Sequence, residues 1–269
     1  MFLNDASHLP KIFDFLNSLG STPALTWYSG DDSGQRIELS GKVCVNHISK
    51  IANYLSFECS FVAGSTLWID LAASWKSVLW ASAGLYLGAH LEFINVSDSA
   101  VNHKMKLESA ENISAVLEKY DFNDGDIVVT ARPDYWVNGA GAEKVADVLL
   151  EIVALNLENF AFSWGADLPS EVLDGQAEVI GQADSLLVEN QWLAANWQEF
   201  VVDREEGKSG ALQKGVLLVK DPKMRRVAVQ TDDMSTLFCQ IFSAWNEGYS
   251  ILTVASLKNV EKILQTEGF

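Results

Sequence analysis

The chain is 269 residues long, and 48% of its residues are hydrophobic, a composition typical of a globular protein with a full core. Its 36 acidic residues outnumber its 19 basic residues and give a net charge of −17. Nucleic-acid binding depends on clustered lysine and arginine, and anionic membranes repel acidic proteins, so we expect neither kind of partner. A protein partner, a homo-oligomer or a small-molecule ligand of unknown identity all stay open.

The N-terminus and the cysteines both indicate a cytoplasmic protein. Residues 1–5 contain no basic stretch and no cleavage signal, so no signal peptide is predicted. Cys44, Cys59 and Cys239 are an odd number without C-x-x-C spacing, which favours buried free thiols in a reducing compartment. The most apolar segment, between Lys76 and His90, is shorter than the roughly 20 residues that a bilayer span needs, so we predict a buried helix there.

The first third of the chain alternates strand and helix patterns. The predicted elements are a helix that opens at 7–10 and ends at 19, strands at 24–29 and 36–39 around a turn at 31–34, a helix at 40–57, a strand at 66–71, a helix at 73–88 and a strand at 91–95. Ser40 is the expected N-cap of the second helix. The helix at 73–88 has no polar face, and such helices are usually enclosed on both sides. The order favours an α/β class, a layered fold with a mainly parallel sheet.

The rest of the chain continues the same alternation after a polar run at 97–106. This run predicts a boundary between lobes 1–96 and 97–269, unless the two form one continuous domain. The predicted elements are helices at 108–120, 142–155, 183–200, 235–245 and 256–265, and strands at 126–131, 216–220, 227–230 and 250–254. Residues 156–181 are predicted to be an irregular acidic loop that Phe160, Phe162 and Trp164 pin to the core.

Gly139 and Gly141 are the candidate cofactor-binding residues, in a loop between a predicted strand and a predicted helix. They supply half of a dinucleotide-binding fingerprint, but Lys144 stands where the third glycine belongs. Arg132 could assist an anion there. The alternative interpretation of the same residues is a simple turn before a helix.

Other motifs indicate no catalytic or metal site. Gly207, Lys208 and Ser209 imitate the end of a phosphate loop, but acidic residues precede them. Residues 121–126 resemble a calcium loop with the glycine misplaced, so we interpret them as a turn. Zinc-protease and serine-hydrolase motifs are missing from the sequence, so no metal or cofactor is predicted. Trp136 and Trp164 lie in predicted loops and could line a ligand groove, although packing beneath a loop is the commoner use.

The stretch from 24 to 93 resembles the opening of the adenylate-forming superfamily, the AMP-dependent acyl-CoA synthetases and ligases. The matching features are the hairpin, the helix element Ala52-Asn53-Tyr54-Leu55, the strand from Gly64 to Leu71 and the Leu87-Gly88-Ala89 helix end. Residues 212–219 and 242–252 are similar to segments that follow the phosphate loop in that superfamily. The likeness is strongest to short bacterial relatives.

The resemblance implies the scaffold and argues against the reaction. Superfamily enzymes wrap ATP phosphates with a Ser/Thr/Gly-rich loop followed by Pro-Lys, and this sequence contains no such run. Their histidine after that loop has no counterpart, because all four histidines precede residue 104. We therefore expect a non-catalytic protein with a binding or assembly role. The alternative is a nucleotide- or acyl-ligand-binding enzyme subunit that uses the loop with Gly139 and Gly141, with its activity completed by a partner chain. A third hypothesis is an unrelated hydrolase or transferase with its site in the acidic loop at 156–181.

Overall fold

The computed structural model describes residues 8–29, 35–94, 118–188, 201–202, 217–218, 225–254 and 260–269, with the main chain alone at 8–10, 201–202 and 217–218. The helices are α1 (His8–Leu19), α2 (Gly41–Phe57), α3 (Trp75–Tyr86), α4 (Pro133–Val137), α5 (Ala140–Val145), α6 (Gly175–Ile180), α7 (Met234–Asn246) and α8 (Val260–Thr266). The strands are β1 (Pro23–Tyr28), β2 (Arg36–Ser40), β3 (Thr66–Asp70), β4 (His90–Phe93), β5 (Ile127–Thr130), β6 (Glu151–Ala154), β7 (Val172–Asp174), β8 (Val201–Val202), β9 (Leu217–Leu218), β10 (Arg226–Gln230) and β11 (Ser250–Val254).

The strands form two sheets with different patterns. The parallel sheet has the order β7-β6-β5-β3-β4-β8, and its described neighbours all run parallel. The mixed sheet has the order β2-β1-β11-β10-β9, with a parallel centre and an antiparallel pair at each edge. This arrangement confirms the predicted α/β class and the predicted β1–β2 hairpin.

Four helices lie between the two sheets and form the main core. Buried apolar residues of α1, α2, α3 and α7 pack in one cluster with inward-facing residues of both sheets. A second cluster covers the outer face of the parallel sheet, where α4 and α5 contribute Trp136 and Val145. A third lies beneath α8 on the outer face of the mixed sheet. The chain therefore folds as stacked layers of helix and sheet.

Helix α3 confirms the prediction of a fully enclosed helix. All of its residues from Trp75 to Leu85 are buried, and it contacts both a neighbouring helix layer and strands β3 and β4. Ser74 caps its N-terminus, because the Ser74 Oγ accepts a hydrogen bond from the Ser77 main-chain N–H over 3.1 Å. Ser40 caps α2 in the same way, as its sequence position predicted.

Helix α8 is tied to the mixed sheet by one carboxylate. Glu267 Oε1 accepts hydrogen bonds from Tyr28 Oη over 2.7 Å and Arg36 Nε over 2.8 Å, and Oε2 accepts one from Arg226 Nη1 over 2.8 Å. Burial raises the pKa of Glu267, but these donors outweigh it and lower that pKa to about 2. The carboxylate thus joins β1, β2 and β10 to the C-terminal helix.

The prediction of a single helix over 142–155 is wrong. The structure has the short helix α5, a turn, and then strand β6, whose Ile152 pairs with Val128 of β5. Leu149, in the middle of the predicted helix, is 80% exposed. Short apolar runs fit helix and strand patterns equally well, and pairing with β5 decides in favour of the strand.

The loop predicted at 156–181 is only partly correct. Strand β7 and helix α6 lie within it, and Phe160 and Phe162 are exposed instead of pinned to the core. Residues 183–188 are not helical, while the rest of the helix predicted at 183–200, most of that at 108–120 and the turn at 31–34 lie outside the described residues. Residue 96 also lies outside the described residues, and the lobe boundary proposed there stays a prediction. Both sheets take strands from either side of it.

The apolar segment between Lys76 and His90, for which the sequence predicts a buried helix, forms most of α3, and α3 is too short to cross a bilayer. Among the described helices none combines the length and apolarity of a membrane span.

Candidate functional site

The carboxyl edge of the parallel sheet is the candidate functional site. From β3 the chain continues to β4 on one side and later to β5, β6 and β7 on the other, so the strand order reverses between β3 and β5. Ligands of open α/β sheets bind outside the carboxyl ends of the strands at such a reversal. Here the two strands end at Asp70 and Thr130.

Asp70 is buried at this reversal and bound on both oxygens. Its carboxylate accepts hydrogen bonds from Thr130 Oγ1 over 2.7 Å and from Trp136 Nε1 over 2.8 Å. Arg132 Nε and Nη2 donate to Oδ2 and Oδ1 over 2.9 and 2.7 Å in a bidentate pair. Four donors therefore saturate a carboxylate that is 6% exposed.

Arg132 is held by this pair and by an aromatic ring. Its guanidinium carbon lies 4.3 Å from the ring centroid of Tyr135. Burial opposes the charge of Arg132, but the Asp70 carboxylate outweighs burial and raises the pKa of Arg132. The cation that the sequence suggested as an anion ligand is therefore neutralised within the protein itself.

Lys76 is a second buried cation at the same edge of the sheet. From the first turn of α3, its Nζ donates to the main-chain oxygens of Asn156 over 2.9 Å, Glu158 over 2.5 Å and Ala161 over 3.4 Å. The residue is 6% exposed, and burial lowers the pKa of Lys76 to about 8 although Glu158 opposes the shift. The ammonium thus fastens the segment after β6 onto the start of α3.

Side chains from β7 and α6 fasten the other side of that segment. Gln176 Oε1 accepts from the Asn156 main-chain N–H over 2.8 Å, and Gln176 Nε2 donates to the Ala161 oxygen over 2.9 Å. Asp174 Oδ2 accepts from the Trp164 N–H over 2.8 Å, and Asn156 Nδ2 donates to the Trp164 oxygen over 3.2 Å. We call residues 156–164 the closing loop, because they leave the carboxyl end of β6 and side chains from α3, β7 and α6 bind their main chain.

Gly139 and Gly141, the predicted cofactor-binding residues, lie at the junction of α4 and α5. A Cβ on Gly139 would lie 2.8 Å from the Tyr135 oxygen, and one on Gly141 would lie 2.9 Å from that oxygen and 3.0 Å from the Trp136 ring. Close helix packing therefore accounts for both glycines. Helix α5 is a single short turn following Gly139, and nucleotide binding there stays an untested prediction.

The two tryptophans expected near a groove have different roles. Trp136 is 1% exposed and donates to Asp70, so it packs against the sheet as the commoner interpretation held. Trp164 is half-buried in the closing loop. Cys44 and Cys59 are buried free thiols as predicted, and burial raises the pKa of each to about 12, while Cys239 is half-buried.

Several functional-site residues were not predicted from the sequence, namely Asp70, Lys76, Thr130, Asp174 and Gln176. A usable signal did exist for three of them, because Asp70, Thr130 and Asp174 are polar residues that end apolar strands. Within the described part of the chain, histidine, cysteine and carboxylate side chains form no group of three that could hold a metal ion.

An open cleft lies elsewhere, between α1, α2 and residues 184–186. Its volume is about 580 Å³, and it is lined by apolar side chains such as Phe13 and Tyr86 together with Asp14, Lys42 and Asp184. The charges there are mixed, and the cleft is remote from the strand reversal. It shares no residue with the Asp70 and Lys76 networks.

Comparison with solved structures identifies proteins of the same fold. Coronafacic acid ligase from Pectobacterium brasiliense matches with a TM-score of 0.62 and 17% identity, over 96% of this chain and 47% of that chain. Brucella canis acyl-CoA synthetase matches with a TM-score of 0.61 and 15% identity, over 96% and 45%. The Klebsiella oxytoca NpsA N-terminal subdomain matches with a TM-score of 0.55 and 11% identity, over 96% and 59%.

These matches concern structure alone. No protein-family model and no curated protein matches the sequence. The chain spans about half the length of the ligase and synthetase structures that it resembles.

Proposed function

We propose that this chain, which has the fold of the N-terminal part of acyl-CoA synthetases and ligases, is a binding or assembly module that does not adenylate carboxylic acids. The observation that carries the proposal is the closing loop. It follows the carboxyl end of strand β6, and its main chain is bound by Lys76, Asp174 and Gln176. Fold similarity alone does not determine activity, so the site carries the argument.

The two cations described at this edge, Arg132 and Lys76, are already engaged by other groups of the protein. Adenylation requires cations and main-chain N–H groups that face the ATP phosphates. Arg132 is paired with Asp70, and Lys76 donates to three main-chain oxygens. Releasing either cation for a phosphate would leave buried acceptors without partners, which costs about 1–3 kcal/mol for each group.

The sequence supports the same conclusion independently. Its 269 residues contain no Ser/Thr/Gly-rich run followed by Pro-Lys, the element that holds the triphosphate in the superfamily it resembles. The excess of acidic residues adds a repulsion toward ATP, although salt screens it.

ATP–pyrophosphate exchange with a panel of carboxylic acids tests the proposal. We expect exchange no higher than that of a mock purification from cells that do not express the chain. Lys76→Met, which frees the closing loop, should also give none, because the phosphate-binding run is missing whether the loop is open or closed. Exchange above the mock level in either protein would overturn the proposal.

A further inference from the structure

Two phenylalanines project outward from the closing loop. Phe160 is 69% exposed and Phe162 is 75% exposed. Single exposed apolar residues are common, but two large aromatic side chains within three residues form a local apolar patch. These two side chains do not pack in the core, so we look for their role outside folding.

The closing loop is anchored on each side of these phenylalanines. Before Phe160, the Asn159 side chain accepts from Trp75 Nε1 over 3.0 Å and donates to Gln35 Oε1 over 2.7 Å. Between the two phenylalanines, the Ala161 oxygen accepts from Lys76 and Gln176. After Phe162, both main-chain polar groups of Trp164 are bound. The loop therefore presents both rings from a fixed backbone, which reduces the entropy lost when a partner binds.

The chain segment that carries the patch is acidic. From residue 145 to residue 203 the sequence contains no lysine, arginine or histidine. The described part of this segment carries the carboxylates of Asp147, Glu151, Glu158, Asp167, Glu171, Asp174, Glu178 and Asp184. The same part contains further exposed apolar residues, Leu149, Ile180 and Leu187. Two lysines reach this segment from other helices, but Lys76 is buried and Lys50 pairs with Asp184. Apolar anchors on a segment with an excess of carboxylates fit a partner with the opposite charge.

We propose that Phe160 and Phe162 form a docking site for an apolar stripe flanked by lysine and arginine, as on a basic amphipathic helix of a partner protein. This inference rests on the proposed binding role. Buried aromatic side chains are typical energetic centres of interfaces, and the acidic segment around them steers a basic partner toward them. A second copy of this chain is disfavoured because each copy carries a net charge of −17.

A synthetic helical peptide of about 20 residues, with leucine on one face and lysine on the other, is the probe, since shorter peptides form marginal helices. Binding is measured by fluorescence anisotropy in about 0.15 M salt, where weak surface attraction is screened. Two control peptides are used, one with the leucines scrambled around the helix and one with glutamate in place of lysine. We expect the full-length chain to bind the basic amphipathic peptide at least about tenfold more tightly than either control peptide.

The protein variant is F160S/F162S, and its matched control is Val62→Ser, which alters a 67% exposed residue outside the acidic segment. We expect the double variant to lose at least about tenfold in affinity and the control to keep wild-type affinity. Both should melt at the wild-type temperature, since the altered side chains are exposed. Equal binding of the scrambled peptide, or unchanged binding by F160S/F162S, would overturn the inference.

Sedimentation velocity tests the remaining candidate occupant of the patch, a second copy of this chain. Self-association that F160S/F162S abolishes would assign the patch to a second copy and would overturn the proposed partner. Failure of peptide binding leaves the exchange assay unaffected, so the docking site and the lack of adenylation are tested separately.

Discussion

Trp136 Nε1 donates a hydrogen bond to Asp70 Oδ2 over 2.8 Å and thereby joins helix α4 to the end of strand β3. Helix α4 has no side-chain cap at its N-cap residue Arg132, so the bond is a principal attachment of this short helix. The same carboxylate pairs with Arg132, and both partners are buried or nearly so. One aspartate therefore positions the strand reversal, the arginine and the helix together.

Asp70→Asn should destabilise the protein by about 3–5 kcal/mol, because it leaves the buried Arg132 guanidinium without its counter-charge. Urea unfolding measures the change. Asp134→Asn is the matched control, since Asp134 is an exposed carboxylate two residues after Arg132. Its substitution should change stability by less than about 0.5 kcal/mol. Equal effects of the two substitutions would show that the buried pair contributes nothing specific.

Lys76→Met should loosen the closing loop, because three main-chain oxygens each lose one donor, although that of Ala161 keeps another, Gln176. We expect faster hydrogen exchange at 156–161 and unchanged exchange in strand β10. Lys50→Met, which removes a donor to the Ile180 oxygen, is a control with an effect outside that loop. Wild-type exchange rates at 156–161 in Lys76→Met would contradict the assigned role.

The same lysine predicts a pH dependence at alkaline pH. The pKa of Lys76 is about 8 in the folded protein and 10.5 in the unfolded chain, so the unfolded chain binds more protons between these values. The free energy of unfolding of the wild type should therefore rise relative to that of Lys76→Met as pH increases from 8 to 10.5. A constant difference across this window would show that burial does not shift this group.

Glu267 predicts a dependence of the same sign at acidic pH. Its pKa of about 2 lies below the ordinary value of 4.5, so its contribution is fully present above pH 4.5 and is lost as pH falls toward 2. Glu267→Gln should remove this acid-sensitive contribution, while Glu261→Gln, on an exposed residue of the same helix, should keep it. Chemical denaturation over pH 2–6 measures the difference.

Trp80→Ala should destabilise the protein by about 3–5 kcal/mol, as removal of large buried aromatic side chains does. Trp80 is 3% exposed, contacts Tyr54 edge to face and lies close to Gly175. Trp80→Phe retains much of the ring and should cost less. A loss below about 1 kcal/mol for Trp80→Ala would be inconsistent with an enclosed α3.

Millimolar AMP, ATP or NAD should leave the melting temperature unchanged. A ligand at a hundredfold excess over its Kd would raise it by several degrees. Gly141→Val cannot serve as a clean binding variant, because its side chain would collide with Tyr135 and lower the melting temperature by itself. A nucleotide-induced shift in the wild type would favour the loop that contains Gly139 and Gly141.

Much of the fold was predictable because its central layer combines local signals that agree. Helix α3 is apolar on all sides and capped by Ser74, and the β1–β2 hairpin matches its predicted strands. Strand β6 was not predictable, since Ile152 and its neighbours fit either period and only pairing with β5 decides. Lys76 was missed for a different reason. Its partners are main-chain oxygens, and these leave no signature in a sequence.

The pairing of Leu25 in β1 with Ile251 in β11 has a consequence for synthesis on the ribosome. The mixed sheet places strands from the two ends of the chain side by side, so its centre cannot assemble until β11 has emerged. Until then the hairpin of β1 and β2 exposes an unpaired strand edge, the kind of surface that pairs with other chains. Such distant contacts also slow folding, because the closure entropy of a long loop precedes the stabilisation that pairing brings. Between the synthesis of β1 and that of β11 the nascent chain therefore carries this edge without its native partner.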